Sequence, residues 1–261
     1  LEVRLILEKN NGNENARFRK EILLDGVRRS AQQAVTSFNA VIFLPQMTRI
    51  IEGGPDERRR YLNLALAQVI PGYAQALSEY NQILGQRNAL LKQLAEGRSD
   101  QTLLDYWDRL LTERSVLIQQ ARSQALREIE QLATESHRSL TNDQEILQFT
   151  YLPANNIGST YDFSDDLKQL EPMDWHIHSK EEAEELFSQK LIARRKEEIA
   201  RGITTIGPHR DEFRFLANKI DLGDYGSRGQ VRTALLSLKL AEVAWMKQQT
   251  GQYPVLLLDE T

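Results

Sequence analysis

Residues 226–260 are GSRGQVRTALLSLKLAEVAWMKQQTGQYPVLLLDE, and this stretch decides the fold. It begins with a short loop, residues 226–230, that holds two glycines and a serine. The segment that follows is apolar on most sides, which predicts a buried helix. Pro254 then precedes four apolar residues and two acids, which predicts a buried strand that ends in carboxylates. The stretch therefore predicts a mixed α/β fold.

Each half of this stretch has a structural and a functional interpretation. Free N–H groups at the start of a helix attract anions, so residues 226–230 predict either a phosphate site or a glycine-rich helix cap. Asp259 and Glu260 would emerge at the carboxyl end of the strand, where open α/β sheets bind ligands, although many buried strands end in an acid. Mg²⁺ prefers oxygen ligands such as Asp259, and Glu260 would polarise an attacking water. About 24 residues separate the loop from the strand. The loop, the helix and the strand follow one another as the signature motif and the Walker B strand do in ABC-type ATPases.

The signature stretch closely resembles that of a known family. Residues 226–235 and 238–242 are similar to the signature region of RecF, a family of bacterial recombination-repair ATPases related to SMC heads. The Gly-Gly-Pro and triple-arginine stretch at residues 53–60 and the Gly-Pro-His-Arg-Asp stretch at residues 207–211 also agree with the family. Residues 86–92 match its helical arm. The resemblance extends from about Phe18 to the last residue.

The resemblance implies a partial ABC-type ATPase head with an inserted helical arm. Two heads would enclose two ATP molecules with Mg²⁺, and each signature loop would contact the γ-phosphate bound to the other subunit. Ser227, Gly229 and Gln230 would form this signature in trans, Asp259 would hold the metal, and Glu260 would be the catalytic base. The family is expected to be a slow ATPase whose ATP-dependent homodimer binds double-stranded or gapped DNA. With RecO and RecR it would help to load recombinase during DNA repair.

The chain also departs from the family. No Gly-Lys dipeptide occurs in the 261 residues, so the Walker A loop is absent. In the family that loop lies upstream of the first residue here, and the segments after Walker B are missing too, so we expect a RecF protein cut at both ends. We predict that this chain alone neither binds ATP tightly nor hydrolyses it. Gln46 stands where the family often has an acid, and it resembles the Q-loop glutamine of SMC and ABC heads, which predicts a role at the metal.

A helical arm is predicted from the apolar spacing in the middle of the chain. Apolar residues recur at steps of three and four from Tyr73 to Leu94, with Arg87 in the one gap, and again from Leu104 to Leu132. The break at residues 97–99 predicts an antiparallel helical hairpin, with two helices of a plain bundle as the alternative. We assign residues 71–144 to the arm, and residues 1–70 and 145–261 to an incomplete head. Alternation within residues 1–44 predicts a β-meander.

Composition narrows the class of protein. The chain is 41% hydrophobic and 27% charged, so it can bury a core, and it has no cysteine, which excludes disulfide scaffolds and thiolate zinc sites. Neither a signal peptide nor an apolar run of the roughly 20 residues that cross a bilayer is visible. We therefore expect a cytoplasmic protein without a membrane partner. The net charge of −4 is not that of a dedicated nucleic-acid coat.

Two questions stay open at the level of sequence. Arg58, Arg59 and Arg60 are candidates for DNA phosphate contacts, and the alternative is ion pairing with the 37 acids of the chain. The whole chain has a non-enzymatic alternative, a protein-interaction module built on a degenerate SMC or ABC head. A transporter-type ABC subunit is disfavoured by the long hairpin and by residues 207–211. We interpret His209 and Arg210 in that stretch as a structural link between the lobes, with nucleotide sensing as the alternative.

Overall fold

The computed structural model describes residues 2–8, 17–30, 34, 37–154 and 179–259 of the chain. Helices and strands are mixed along these ranges, as the sequence predicts. The strands are β1 (Glu2–Glu8), β2 (Arg17–Leu24), β3 (Val27–Arg29), β4 (Ala40–Phe43), β5 (Leu147–Leu152), β6 (Glu212–Ala217), β7 (Ile220–Asp221) and β8 (Val255–Leu258). The α-helices are α1 (Arg49–Glu52), α2 (Pro55–Val69), α3 (Tyr73–Ala95), α4 (Leu104–Leu140), α5 (Lys180–Arg201), α6 (Leu222–Tyr225) and α7 (Arg228–Thr250). Short 3₁₀ turns precede α1 and α4.

The described strands form three small sheets. β1, β2 and β3 make an antiparallel meander, as the alternating pattern predicts. β5, β6 and β7 make a second antiparallel sheet, with Phe149 opposite Phe215. β4 and β8 pair in parallel, with Ala40 opposite Val255 and Phe43 opposite Leu258. The parallel pair matters for function because it brings the carboxyl ends of β4 and β8 to one edge.

The hairpin predicted from the apolar spacing is present. α3 ends at Ala95 and α4 begins at Leu104, on either side of the predicted break. At 1.5 Å per residue α3 is about 35 Å long and α4 about 55 Å long. The second half of α4 continues into the core beside α7, where the Trp245 indole N–H donates to Glu128 at 2.7 Å. The arm and the core therefore share one continuous helix.

α5 packs against the arm, across the boundary that the sequence suggests at residue 144. Arg87 of α3 is fully buried and pairs with Glu198 of α5 at 2.7 Å and with Asp108 of α4 at 2.6 Å. Arg195 of α5 also contacts Asp108, at 2.6 Å. Because a buried charge is costly unless it is paired, these contacts fix α5 to the base of the hairpin. The division into head and arm remains a prediction, and α5, which the sequence assigns to the head, packs against the two arm helices.

β8 differs from its prediction in one respect. It is a strand, but its four residues are 45–71% exposed rather than buried. Parallel strands are normally buried because helices cover both faces of a sheet. Here the sheet has two strands within the described residues, and α7 itself exposes Leu236 and Leu240. The apolar pattern of β8 therefore predicts its conformation correctly and its burial wrongly.

Across the described ranges, no helix combines the length and the apolar character needed to cross a membrane.

Candidate nucleotide and DNA site

The loop at residues 226–230 forms the start of α7. Ser227 caps the helix, because its Oγ accepts a hydrogen bond from the Gln230 backbone N–H at 3.2 Å. In return the Gln230 side-chain oxygen accepts from the Ser227 backbone N–H at 3.0 Å, which completes a capping box. The Val231 N–H bonds the Ser227 carbonyl. The N–H groups of Arg228 and Gly229 are therefore left over at the positive end of a 23-residue helix.

Ser227 and Gly229 are placed to meet an outside anion. Both are exposed, and the Ser227 hydroxyl hydrogen is not used by the cap, in which its oxygen accepts. A Cβ added at Gly229 would meet only Ser227 Oγ, at 3.9 Å, so nothing within the described chain requires a glycine there. A glycine that the packing of the chain itself does not require is typical of a place where a ligand approaches the backbone closely. The structure thus keeps two of the three predicted signature residues accessible.

Gln230, the third predicted signature residue, is engaged inside the chain. Its Oε1 accepts from Ser227, and its Nε2 donates to Glu145 Oε1 at 2.8 Å. The side chain is partly buried, unlike those of Ser227 and Arg228. Gln230 therefore shapes the loop, and the groups that face outward are the Ser227 hydroxyl and the two free N–H groups.

The predicted metal residues lie at the carboxyl edge of the parallel pair. Asp259 follows β8 directly, and its N–H donates to the Phe43 carbonyl at 3.2 Å. Gln46 lies three residues beyond the end of β4, on the adjacent 3₁₀ turn, and is exposed. Within the described part of the chain no three acidic or histidine side chains cluster to hold a metal alone. One carboxylate and one amide do fit Mg²⁺ bound mainly by waters and phosphates. Glu260, the predicted base, lies outside the described residues.

A cleft of about 620 Å³ lies between this edge and the first turns of α7. Phe43, Pro45, Thr48 and Glu52 line it from one side, and Arg228 and Arg232 line it from α7, whereas Asp259 and Gln46 are not among its lining residues. The two arginines provide positive charge next to the free N–H groups of the helix, a combination suited to phosphate.

The triple arginine separates into three environments. Arg58 is 2% exposed and forms a fork with Glu212, with nitrogen–oxygen distances of 2.7 and 2.6 Å. It cannot reach a DNA phosphate from this position, so its assignment as a DNA contact is corrected to a buried ion pair. Arg59 is partly buried and donates to the Asp211 carbonyl at 2.6 Å. Arg60 is exposed. The alternative of ion pairing is therefore right for Arg58.

A second cleft, of about 580 Å³, runs between α2, α3 and the loop at residues 207–209. Arg59, Arg60 and His209 line it, together with Asn63 and Asn81. This cleft lies at the base of the arm. Its cationic and amide side chains offer hydrogen-bond donors to phosphate oxygens.

Two buried residues that the sequence does not single out connect the arm to this loop. Asp211 is 1% exposed and accepts from Arg122 of α4 at 2.9 Å, from Gln119 at 2.8 Å and from Tyr151 at 2.5 Å. Arg122 also donates to the Pro208 carbonyl at 2.7 Å. The sequence does contain one signal for this buried pair. Arg122 lies within the apolar stripe of α4, where a charged side chain needs a buried partner.

His209 links the loop to the arm, as predicted. Its Nε2–H donates to the Thr204 carbonyl at 3.2 Å, and its Nδ1 accepts from the Tyr80 hydroxyl at 2.5 Å. This assignment requires a neutral ring, and burial lowers the pKa of His209 to about 4. Burial also raises the pKa of Tyr80, which keeps the phenol protonated as the donor. Gly207, at φ +123°, permits the approach, since a Cβ there would lie 2.7 Å from the Tyr80 hydroxyl oxygen.

The lowered pKa of His209 predicts a loss of stability in mild acid. The unfolded chain takes up this proton near pH 6.5, whereas the folded chain does so only near pH 4. The stabilisation is therefore present above pH 6.5 and is lost as the pH falls to 4, by about 2–3 kcal/mol. Urea unfolding of the wild type and of His209→Gln should show this effect. The variant should lose less free energy of unfolding than the wild type as the pH falls. Parallel pH profiles for the two proteins would contradict the prediction.

Comparisons with known proteins agree with these features. No protein-family model matches the chain. The DNA replication and repair protein RecF of Halothermothrix orenii is 39% identical over 247 residues, which are 94% of this chain and 62% of that protein. RecF of an Exiguobacterium species is 38% identical over 233 residues, which are 89% of this chain and 58% of that protein. The chain thus spans about three fifths of the length of these curated relatives.

Two solved structures show the same fold. One is of the recombination mediator protein RecF with ATPrS in the RecFOR pathway, at a TM-score of 0.81 and 31% identity over 94% of this chain and 61% of that one. The other is of RecF with ATP, at a TM-score of 0.80 and 30% identity over 93% and 60%. Sequence and structure agree along nearly the whole chain, which is similar to RecF over that length.

Proposed function

We propose that this chain is part of an ATP-dependent DNA recombination and repair protein that acts as a homodimer. The observation that carries the proposal is the start of α7, where the Ser227 hydroxyl and the N–H groups of Arg228 and Gly229 point outward without internal partners. In this proposal they receive the γ-phosphate of an ATP molecule held by the second subunit. The related RecF structures with ATP and ATPrS support ATP as the ligand.

The metal and the hydrolytic groups would come from the carboxyl edge of the parallel pair. Asp259 and Gln46 would hold Mg²⁺, and the ion would neutralise charge on the phosphates. Glu260 would orient the attacking water. Arg228 of the signature loop and Phe43 at the end of β4 line the same cleft, which supports a role for this region in phosphate chemistry.

DNA would bind through its phosphates at the base of the arm. Arg60, with Arg59 and His209 beside it, faces the cleft between α2 and α3. The described elements offer no helix resembling a base-reading element, so affinity should depend on salt more than on sequence. Double-stranded or gapped DNA and the proteins RecO and RecR are the proposed partners, in line with the pathway of the related structures.

The proposal predicts that Ser227→Arg abolishes ATP-dependent dimerisation while leaving ATP binding to a single subunit unchanged. The added side chain would fill the place of the incoming phosphate. The measurement is sedimentation with and without ATP and Mg²⁺, and calorimetry for binding, on a version of the protein extended upstream through the expected Walker A loop. Ser99→Arg, in the turn of the hairpin, is the matched control.

The alternative is an interaction module that never uses ATP. If the extended wild type neither binds ATP nor dimerises with it, that alternative is favoured. If Ser227→Arg dimerises normally, the signature loop is not the contact in trans.

A further inference from the structure

We propose that Glu145 and His137 are positioning residues that tie the end of the arm helix to the signature loop. The inference deepens the proposed function, on which its functional part rests. It starts from a continuous series of close polar contacts that joins α4 to both sides of the first turn of α7. The residues of this ring are Gln230, Glu145, His137, Ser237, Thr233 and Gly229.

The first half of the ring holds the glutamine of the capping box. Glu145 accepts from the Gln230 amide through Oε1 at 2.8 Å, and its other oxygen, Oε2, lies 3.1 Å from His137 Nε2. The same Gln230 amide accepts from the Ser227 N–H. The rotamer of Gln230, and with it the backbone of Ser227, therefore depends on where Glu145 lies.

The second half of the ring reaches the same turn from inside the core. His137 is fully buried, and its Nδ1 lies 3.0 Å from Ser237 Oγ of α7. The Ser237 hydroxyl donates to the Thr233 carbonyl at 2.8 Å, and the Thr233 hydroxyl donates to the Gly229 carbonyl at 3.0 Å. Both halves thus end on the residues that frame the exposed N–H groups.

The arm controls the position of this ring because the ring is anchored at the end of α4. His137 lies in the last turn of that helix, and the Thr141 hydroxyl donates to its carbonyl at 2.8 Å. The Thr141 hydroxyl oxygen also accepts from the Glu145 N–H at 3.4 Å, so the short connection to β5 follows the helix end. A shift of α4 caused by a ligand on the arm would therefore move Glu145 relative to Gln230. The ring converts a change at the arm into a change at the phosphate-binding turn.

The first experiment uses the 261-residue chain itself and needs no nucleotide. Glu145→Leu removes both contacts of the carboxylate, and we expect amide hydrogen exchange at Ser227 to become about tenfold faster, the loss of roughly one hydrogen bond. Glu145→Gln should keep the wild-type rate, because its side-chain oxygen can still accept from the Gln230 N–H₂ group. The control is Glu130→Leu, which removes an α4 carboxylate that accepts from the Phe149 N–H at 2.8 Å.

The second experiment measures ATP-dependent dimerisation in the upstream-extended protein. We expect Glu145→Leu to raise the dimer dissociation constant about tenfold, with ATP binding to the single subunit unchanged, and Glu145→Gln to restore tight dimers. An unchanged Ser227 exchange rate in Glu145→Leu, or an equal acceleration in Glu130→Leu, would overturn the positioning role. A wild type that does not dimerise with ATP would overturn the proposed function, while the exchange result would still show whether the ring holds the loop.

Discussion

Replacing Asp211 by Asn should lower the free energy of unfolding by about 3–5 kcal/mol, the usual cost of breaking one side of a buried ion pair. The carboxylate is 1% exposed, and its oxygens accept from Arg122, Gln119, Tyr151 and the Ala154 N–H. An asparagine would turn an N–H₂ group toward these donors. It would also leave the Arg122 guanidinium, 2% exposed, without a negative partner.

The neighbours of Asp211 cannot adjust by changing their protonation. Burial, together with the Asp211 charge, raises the pKa of Tyr151 well above its usual value, so this phenol remains a donor. Arg122 stays charged, and its remaining bonds go to neutral groups at Tyr73, Pro208 and Asn63.

Urea unfolding at neutral pH measures this prediction. Asp224→Asn is the matched control, because Asp224 is 55% exposed on its side chain and contacts Arg214 at 3.2 Å. An exposed pair of this kind contributes about 0–1 kcal/mol. If Asp211→Asn loses no more stability than Asp224→Asn, the link between arm and loop does not rest on this carboxylate.

Arg58→Met should lower the free energy of unfolding by about 3–5 kcal/mol, while Arg60→Met should change it by less than about 0.5 kcal/mol. The first variant removes the guanidinium that binds both oxygens of Glu212, which is 4% exposed, and leaves it the longer contact with the Arg214 guanidinium at 3.6 Å. It also leaves the Gly53 carbonyl without the Arg58 donor at 2.7 Å. The second variant removes an exposed side chain. Thermal or urea unfolding distinguishes the two.

The same two variants distinguish a structural role of an arginine from a role in contacting DNA. Arg60→Met should weaken binding to duplex DNA and reduce the slope of log affinity against log salt by about one. A wild-type binding curve that is flat between about 50 and 200 mM salt would refute a phosphate-based contact. A stable Arg58→Met protein that loses DNA affinity would return Arg58 to the DNA-binding surface.

Local sequence pattern was sufficient to predict the helices and strands on which the candidate site lies. The spacing of apolar residues located α3 and α4 and the break between them, and glycine with serine located the start of α7. These features depend on neighbours within a few residues along the chain. For the same reason the carboxyl edge with Asp259 could be anticipated from one strand.

The buried charges could not be assigned from sequence because their partners are distant. Arg58 pairs with Glu212, and Arg122 pairs with Asp211, 89 residues away. A run of three arginines looks like one surface patch, yet the turn of a helix directs each side chain to a different side. Arg87 gave a local hint as a charge at a core position of α3, but the choice of Glu198 among the acids is a property of the folded chain.

The exposure of β8 also has a consequence for how the chain behaves at high concentration. Four consecutive β-prone apolar residues, Val255–Leu258, stand open to water on a ribbon of two strands. Open, uncharged strand edges of this kind act as templates for pairing between molecules, with aggregation as the usual outcome. Preparations that contain these residues without a covering element should therefore be limited by colloidal stability before they are limited by folding.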